Sequence, residues 1–235
     1  MIDPAWSAVL PDIPRWVELR SLLLHGEGTV FGEPTGGVIV SGDGFTVGLV
    51  GYPDSSLVDK ARPLFAPDAE AVVIGEGLEH AISLFPLGRP RRAILHRLDG
   101  EIEAVSDETL DIASVDDRLL HSLPPELATE VEGAYIAAFR RVEGLVVSAC
   151  SAASITETLW DVGIDTLEGH RRMGHARSCY LALASHLAAQ GLSPVWGAYE
   201  DNEPSLSMAR SLGFTQVDEI WVIELEDENR QAGAL

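Results

Sequence analysis

The chain is short of cations. Its 235 residues carry 16 Lys and Arg against 37 Asp and Glu, a formal net charge of −21, and Lys60 is its single lysine. Non-specific nucleic-acid binding rests on phosphate neutralisation by basic side chains, so this balance argues against it. The same shortage argues against adhesion to an anionic membrane. Cysteine is scarce as well. Cys150 and Cys179 lie in apolar surroundings at no zinc or CxxC spacing, which reads as two buried reduced thiols. No apolar run approaches the roughly 18 residues that span a bilayer. Met1-Ile2-Asp3-Pro4 does not open a signal peptide, so the expectation is a soluble cytoplasmic protein.

Core material is ample, at 46% hydrophobic residues, and suffices for one large domain or two modest ones. In the first half, Trp16, Leu19, Leu22 and Leu23 have helical spacing within Arg15–Leu24. Gly37–Leu49 reads as a hairpin turning at Ser41-Gly42-Asp43-Gly44. Leu57–Phe65 reads as a helix, Ala71–Ile74 and Ala93–Leu95 as short strands, and Arg89-Pro90-Arg91-Arg92 as a surface turn. The paired glycines at 26/28, 42/44 and 75/77 lack the strand-loop-helix frame of a dinucleotide site and read as turns. The acidic, weakly patterned stretch Asp99–Asp117 marks a domain junction, giving domains 1–115 and 116–235.

The second half has a clearer rhythm. Pro124–Glu132 reads as a helix, Ala134–Phe139 and Leu145–Ala149 as a hairpin, and Ile155–Asp165 as one long strand. Arg177–Gln190 reads as a helix closed by Gly191, Pro194–Tyr199 as a strand, Pro204–Leu212 as a helix and Val217–Leu225 as the last strand. The acidic residues from Glu226 onward read as a solvated end.

Between the long strand and its helix, His170-Arg171-Arg172-Met173-Gly174-His175-Ala176-Arg177 concentrates three of the sixteen cations. A helix start offers unpaired N–H groups and the positive end of the macrodipole, so cations there are unfavourable unless an anion is held. Glycine admits close approach, and arginine adds charge-assisted donors. The pattern is that of a pyrophosphate cradle. His170 and His175 have no third ligand at a useful spacing, so no metal is expected.

Arg171-x-x-Gly174-x-Ala176, followed by Asn202-x-x-Ser205 and Leu212-Gly213-Phe214, resembles the GCN5-related N-acetyltransferases over roughly Pro124–Leu225. Gly163-Ile164-Asp165-Thr166 and Pro194-x-Trp196 are similar to the zwittermicin A self-resistance type, whose extra N-terminal domain would suit the first half. The resemblance implies an α/β (α+β) fold: a mixed, mainly antiparallel sheet flanked by helices, with a smaller N-terminal α/β domain. It also implies acetyl-CoA as acetyl donor. The pyrophosphate would lie on the N–H groups of Arg172, Met173, Gly174, His175 and Ala176 beside Arg171. Ile164, Asp165 and Thr166 would pair with the pantetheine arm, opposite Trp196–Tyr199, and Asn202 would bond it with Ser205 nearby.

Two positions depart from the family pattern. Arg172 stands where a glycine is common, and Ala209 where many members carry a tyrosine that protonates the leaving thiolate. Tyr199 is the substitute acid. An attacking ammonium must lose a proton to a carboxylate or a water chain. Glu157, Asp161 and Asp165 share one face of the expected strand if it is unbulged. Asp161 is the first candidate base and Glu157 the second; a plain solvent face is the competing reading. Trp160 and Trp196 read as core. The implied activity is direct acetylation of a primary amine on a small molecule, with no nucleic-acid or membrane partner and with the first half walling the acceptor site or forming a homodimer. The alternative is a non-catalytic acyl-CoA-binding or regulatory module.

Overall fold

A computed structural model describes residues 2–98, 100 and 110–225. In chain order its elements are α1 (Pro4–Val9), α2 (Val17–His25), β1 (Gly28–Glu33), β2 (Gly36–Ser41), β3 (Thr46–Gly51), α3 (Ser55–Ala61), β4 (Glu70–Val73), α4 (Leu78–Leu84) and β5 (Arg89–Leu98). There follow β6 (Leu110–Ser114), α5 (Asp117–Leu120), α6 (Pro125–Val131), β7 (Ile136–Val142), β8 (Leu145–Ala152), β9 (Leu159–Asp161) and β10 (Gly163–Thr166). The last are α7 (His175–Ala188), β11 (Ser193–Tyr199), α8 (Glu203–Ser211) and β12 (Phe214–Glu224). No helix is long and apolar enough to cross a membrane among the described residues.

The chain forms two compact units. One takes residues up to 95 together with 198–208 and the chain from 216; the other takes 96–197 and 209–215. This grouping differs from the expected division at 115/116. The reason lies in pairing that local composition does not reveal: the end of β12 returns to β4, with Trp221 opposite Val73 and Glu224 opposite Glu70.

In the first unit β1, β2 and β3 form an antiparallel meander, and β4 joins β3 in parallel. Alternation along β2 buries both of its faces. Val38 and Val40 pack with Val47, Leu49, Val58 and Ile223, while Ile39 packs with Trp6, Trp16 and Leu19. The Asp54 carboxylate accepts the Leu57 N–H at 2.9 Å and fixes the start of α3. Arg89–Arg92, expected as a surface turn, instead begins β5. There Arg91 bonds Asp201 and Glu224, and Arg92 bonds Glu200 and Glu219.

In the second unit the order β10-β8-β7-β6 is antiparallel throughout. Strand β6 lies inside the stretch read as patternless; the rest of that stretch, save Gly100 and the residues from Leu110, falls outside the described residues. Leu127 and Val131 of α6 cover one sheet face with Ala137, Phe139, Val146 and Ala149. Helix α7 packs against β7 and β8. The fold is thus mainly antiparallel sheet flanked by helices.

Ile155–Asp165 is not one strand. The Thr156 N–H bonds the Leu159 carbonyl at 2.8 Å, and Asp161 N–H bonds the Ser154 carbonyl at 3.0 Å. Residues 154–161 therefore fold back on themselves, with a bridge between Ile155 and Trp160. Strand β9 then runs parallel to β11, with Asp161 opposite Val195, and Val162 N–H bonds the Val195 carbonyl at 3.0 Å. From Gly163 the chain changes partner to β8, Gly163 facing Ser151 and Thr166 facing Ser148. The apolar alternation of 155–165 arises from two short strands and a turn.

Candidate active site

The change of partner at Val162–Gly163 makes a fork. Strand β10 leaves β11 and is held on one edge by β8. Leu167 N–H bonds the Val147 carbonyl at 2.9 Å, and the alternation of an antiparallel ladder turns the Ile164 and Thr166 backbone groups toward the other edge. Arg171 Nε donates to the Thr166 carbonyl at 2.9 Å, and its Nη2 lies 3.5 Å from the Asp165 carboxylate. Arg171 thereby ties the end of β10 to the loop that follows.

That loop is a single turn at Glu168–His170, then Arg171 to Gly174. Arg172 adopts a left-handed φ of 62°, and Gly174, the residue before α7, a φ of 84°. A Cβ built on Gly174 meets no atom within 4 Å, so the backbone there opens on free space. Helix α7 begins at His175, two residues earlier than expected, and its start has neither a side-chain cap nor an acidic residue. The first turn carries His175 and Arg177, with Arg171, Arg172 and Met173 exposed beside it. Without an anion, this is the electrostatically unfavourable end for those cations. The His170 and His175 rings stand 6.1 Å apart. Burial, then the charges of Arg140 and His170, depresses the His175 pKa, which disfavours its charged form.

The proposed catalytic residues fall in different places. Asp161 sits on β9 with its carboxylate accepting the Ser154 N–H at 2.5 Å, which closes the turn. Glu157 is exposed in that turn, ahead of β9, and does not share a strand face with Asp161. In the first unit, the Tyr199 hydroxyl donates to Glu70 and its ring lies under the Arg91 guanidinium, 3.6 Å from the centroid. Burial and the Glu70 carboxylate raise the Tyr199 pKa, which favours the protonated phenol. Asn202 places its side-chain oxygen 3.2 Å from the Ser205 N–H and caps α8. Ala209 is fully buried on α8.

One carboxylate went unnoticed in the sequence. Glu130, in the last turn of α6, holds Oε1 3.7 Å from a Cβ built on Gly163. Although the residue as a whole is exposed, partial shielding of its carboxylate, and then the charge of Asp165, raise its pKa. Only the contact of α6 with β10 brings it to the fork, so no sequence spacing announces it.

Both thiols are buried and free; burial pushes Cys179 up to about 11 and Cys150 well above its ordinary value, which leaves them unreactive. Trp160 and Trp196 are core residues, as expected, in a ring cluster with Tyr180 and Phe214. Among the described residues no three His, Cys, Asp or Glu stand together as a metal site.

A strand fork thus stands beside an uncapped, cation-bearing helix start. Residues 137–222 match the family model described as GNAT acetyltransferase. The fold is similar to that of a GCN5-related N-acetyltransferase-like protein from Streptococcus suis: 18% identity over 93% of this chain and 96% of that one, TM-score 0.71. It is likewise similar to a GNAT-family protein from Novosphingobium aromaticivorans (16% identity, 92% and 98%, TM-score 0.68). A GCN5-related N-acetyltransferase from Kribbella flavida gives 14% identity over 99% of both chains, TM-score 0.61. No curated protein sequence matches the chain.

Proposed function

We propose that the protein is an N-acetyltransferase that moves the acetyl group of acetyl-CoA to a primary amine of a small molecule. The observation that carries this reading is the uncapped start of α7, opened by left-handed Arg172 and Gly174, beside a strand that has left its neighbour. The family match over residues 137–222 supports acyl transfer as the chemistry.

The residues present fit such a donor. The space beyond Gly174 and the free first-turn N–H groups suit a pyrophosphate, held by the amides of Arg172–Ala176 with Arg171 beside them. The open edge of Ile164–Thr166 suits the amide groups of the pantetheine arm. A thioester carbon held beside an amine then exchanges partners: the C–N bond forms, the C–S bond breaks, and the thiolate leaves. The narrower likeness to the zwittermicin A self-resistance type, with the first half walling the acceptor site or pairing two copies, belongs to the same proposal. So does a cytoplasmic setting, where buried thiols such as Cys150 and Cys179 remain reduced.

Thermal unfolding with and without acetyl-CoA tests this. Saturation at about 100 times Kd adds roughly 2.7 kcal/mol and a clear rise in Tm; no rise with acetyl-CoA or CoA overturns the reading. Thiol release with spermidine, phenethylamine and lysine methyl ester then separates enzyme from binder. A Tm rise without thiol release favours the acyl-CoA-binding module, the alternative suggested by Ala209 in place of the usual acid.

A further inference from the structure

The fork has two sides, and they carry different groups. Antiparallel pairing sets Ile164 opposite Cys150 and Thr166 opposite Ser148, and sets Gly163 opposite Ser151 and Asp165 opposite Ala149. Successive side chains of β10 alternate between faces. Ala149 belongs to the face covered by α6, so Gly163 and Asp165 turn to α6. Ile164 and Thr166 turn to the opposite face, where the Cys179 thiol of α7 donates to the Ser148 carbonyl. The arginine-bearing loop leads into α7. Glu130 comes from α6 and lies over Gly163, the first residue after the strands part.

A side chain at Gly163 would displace the Ser151 hydroxyl. A Cβ there stands 2.5 Å from Ser151 Oγ and 3.7 Å from Glu130 Oε1. The bare α-carbon leaves the Glu130 carboxylate facing backbone at the fork. The other acids nearby are committed: Asp161 to the Ser154 N–H, Asp165 to Arg171. Glu130 makes no hydrogen bond or ion pair among the described residues.

We propose that Glu130 is the catalytic base, receiving a proton from the acceptor's ammonium group on the α6 side of the fork; this rests on the acetyl-transfer reading. The ammonium gives one proton to the carboxylate and becomes a nucleophilic amine. Its nitrogen bonds the acetyl carbon as the C–S bond breaks. The second nitrogen proton leaves with the thiolate, as thiol, and Glu130 returns its proton to water. Net, one ammonium and one thioester give one amide, one thiol and one proton. A base of this kind works best when its pKa approaches the operating pH, the direction in which shielding and Asp165 move Glu130.

The test uses the full chain, acetyl-CoA and the amine of the panel that turns over fastest. Glu130→Gln is expected to leave the acetyl-CoA-induced rise in Tm intact, lower kcat by about 100-fold or more, and remove the acidic limb of the pH profile. Glu130→Asp is expected to restore part of the rate and keep that limb. A Glu130→Gln variant within twofold of wild-type kcat, with its Tm rise intact, overturns the assignment and spares the reading. A wild-type chain with no Tm rise, or with a rise but no thiol release from any amine, overturns both this assignment and catalysis.

Discussion

The Tyr199 hydroxyl is shared between the two carboxylate oxygens of Glu70, 3.2 Å from each. This shared bond is the hydrogen bond that favours the charged carboxylate, while burial and the neighbouring Glu224 and Asp68 oppose it; burial is the largest influence, and the pKa ends above its ordinary value near 4.5. Glu18, hydrogen-bonded by Thr46 Oγ1 at 2.5 Å, is shifted upward for the same leading reason. Both groups therefore bind their protons more tightly folded than unfolded. Their contribution to stability is complete below the ordinary carboxylate range and is lost as pH rises through the raised values. Tm is expected to fall with rising pH across that window. Glu70→Gln flattens the fall, and Tyr199→Phe, which removes the bond favouring the charged form, extends it to higher pH. Thermal melts from pH 4 to 8 check both; an unaltered slope in Glu70→Gln would show that Glu70 does not titrate in that window.

Gly174 separates conformation from space. Its φ of 84° disfavours an ordinary side chain by about 1–2 kcal/mol, while asparagine tolerates that region. A Cβ meets nothing within 4 Å, so Gly174→Asn keeps the fold close to wild-type stability. The same side chain fills the space proposed for the pyrophosphate. The expected result is a near-native Tm with the acetyl-CoA shift lost. A full shift in Gly174→Asn would mean that the ligand does not approach this backbone.

How far the sequence reached depended on whether a feature was local. The cation-bearing start of α7 was legible because its signals are contiguous: cations, a glycine and a helix pattern within eight residues. The turn at Ser41–Gly44 and the hairpin of Ala134–Phe139 with Leu145–Ala149 were legible for the same reason. The fork was not, because the periodicity of Ile155–Asp165 cannot show that Asp161 folds back to Ser154 and that Gly163 changes partner. The grouping of β12 with β4, and the placing of Glu130 over Gly163, depend on contacts between distant segments and leave no spacing to read.

Asp161 is assigned opposite outcomes by its two roles. As the acceptor of the Ser154 N–H it is a structural group, and its loss leaves that amide without its partner. Asp161→Ala is expected to cost about 1.5–3 kcal/mol, the range for a hydrogen bond to a charged group. Asp161→Asn retains a carbonyl oxygen for the bond and is expected to recover much of that loss. Turnover per folded molecule stays near wild type in both. A large fall in kcat for Asp161→Asn, at native stability and with the acetyl-CoA shift kept, would instead restore Asp161 as the base.

Tyr180 offers a test of the second unit's core that is independent of any ligand. Its ring is 1% exposed, stacked at 6.5 Å on Trp160 and close to Trp196 and Phe214. Its hydroxyl and the Trp160 indole N–H lie buried with no hydrogen-bond partner among the described residues. A buried donor without an acceptor costs about 1–3 kcal/mol, whereas the ring supplies the packing whether or not it carries the oxygen. Removing the oxygen alone therefore removes a cost and no contact of comparable worth. Tyr180→Phe is expected to hold or raise Tm, with a gain of at most about 2–4 °C per kcal/mol recovered in a chain of this size. Paired thermal melts decide it, and a lowered Tm would show that the hydroxyl does bond something inside the cluster.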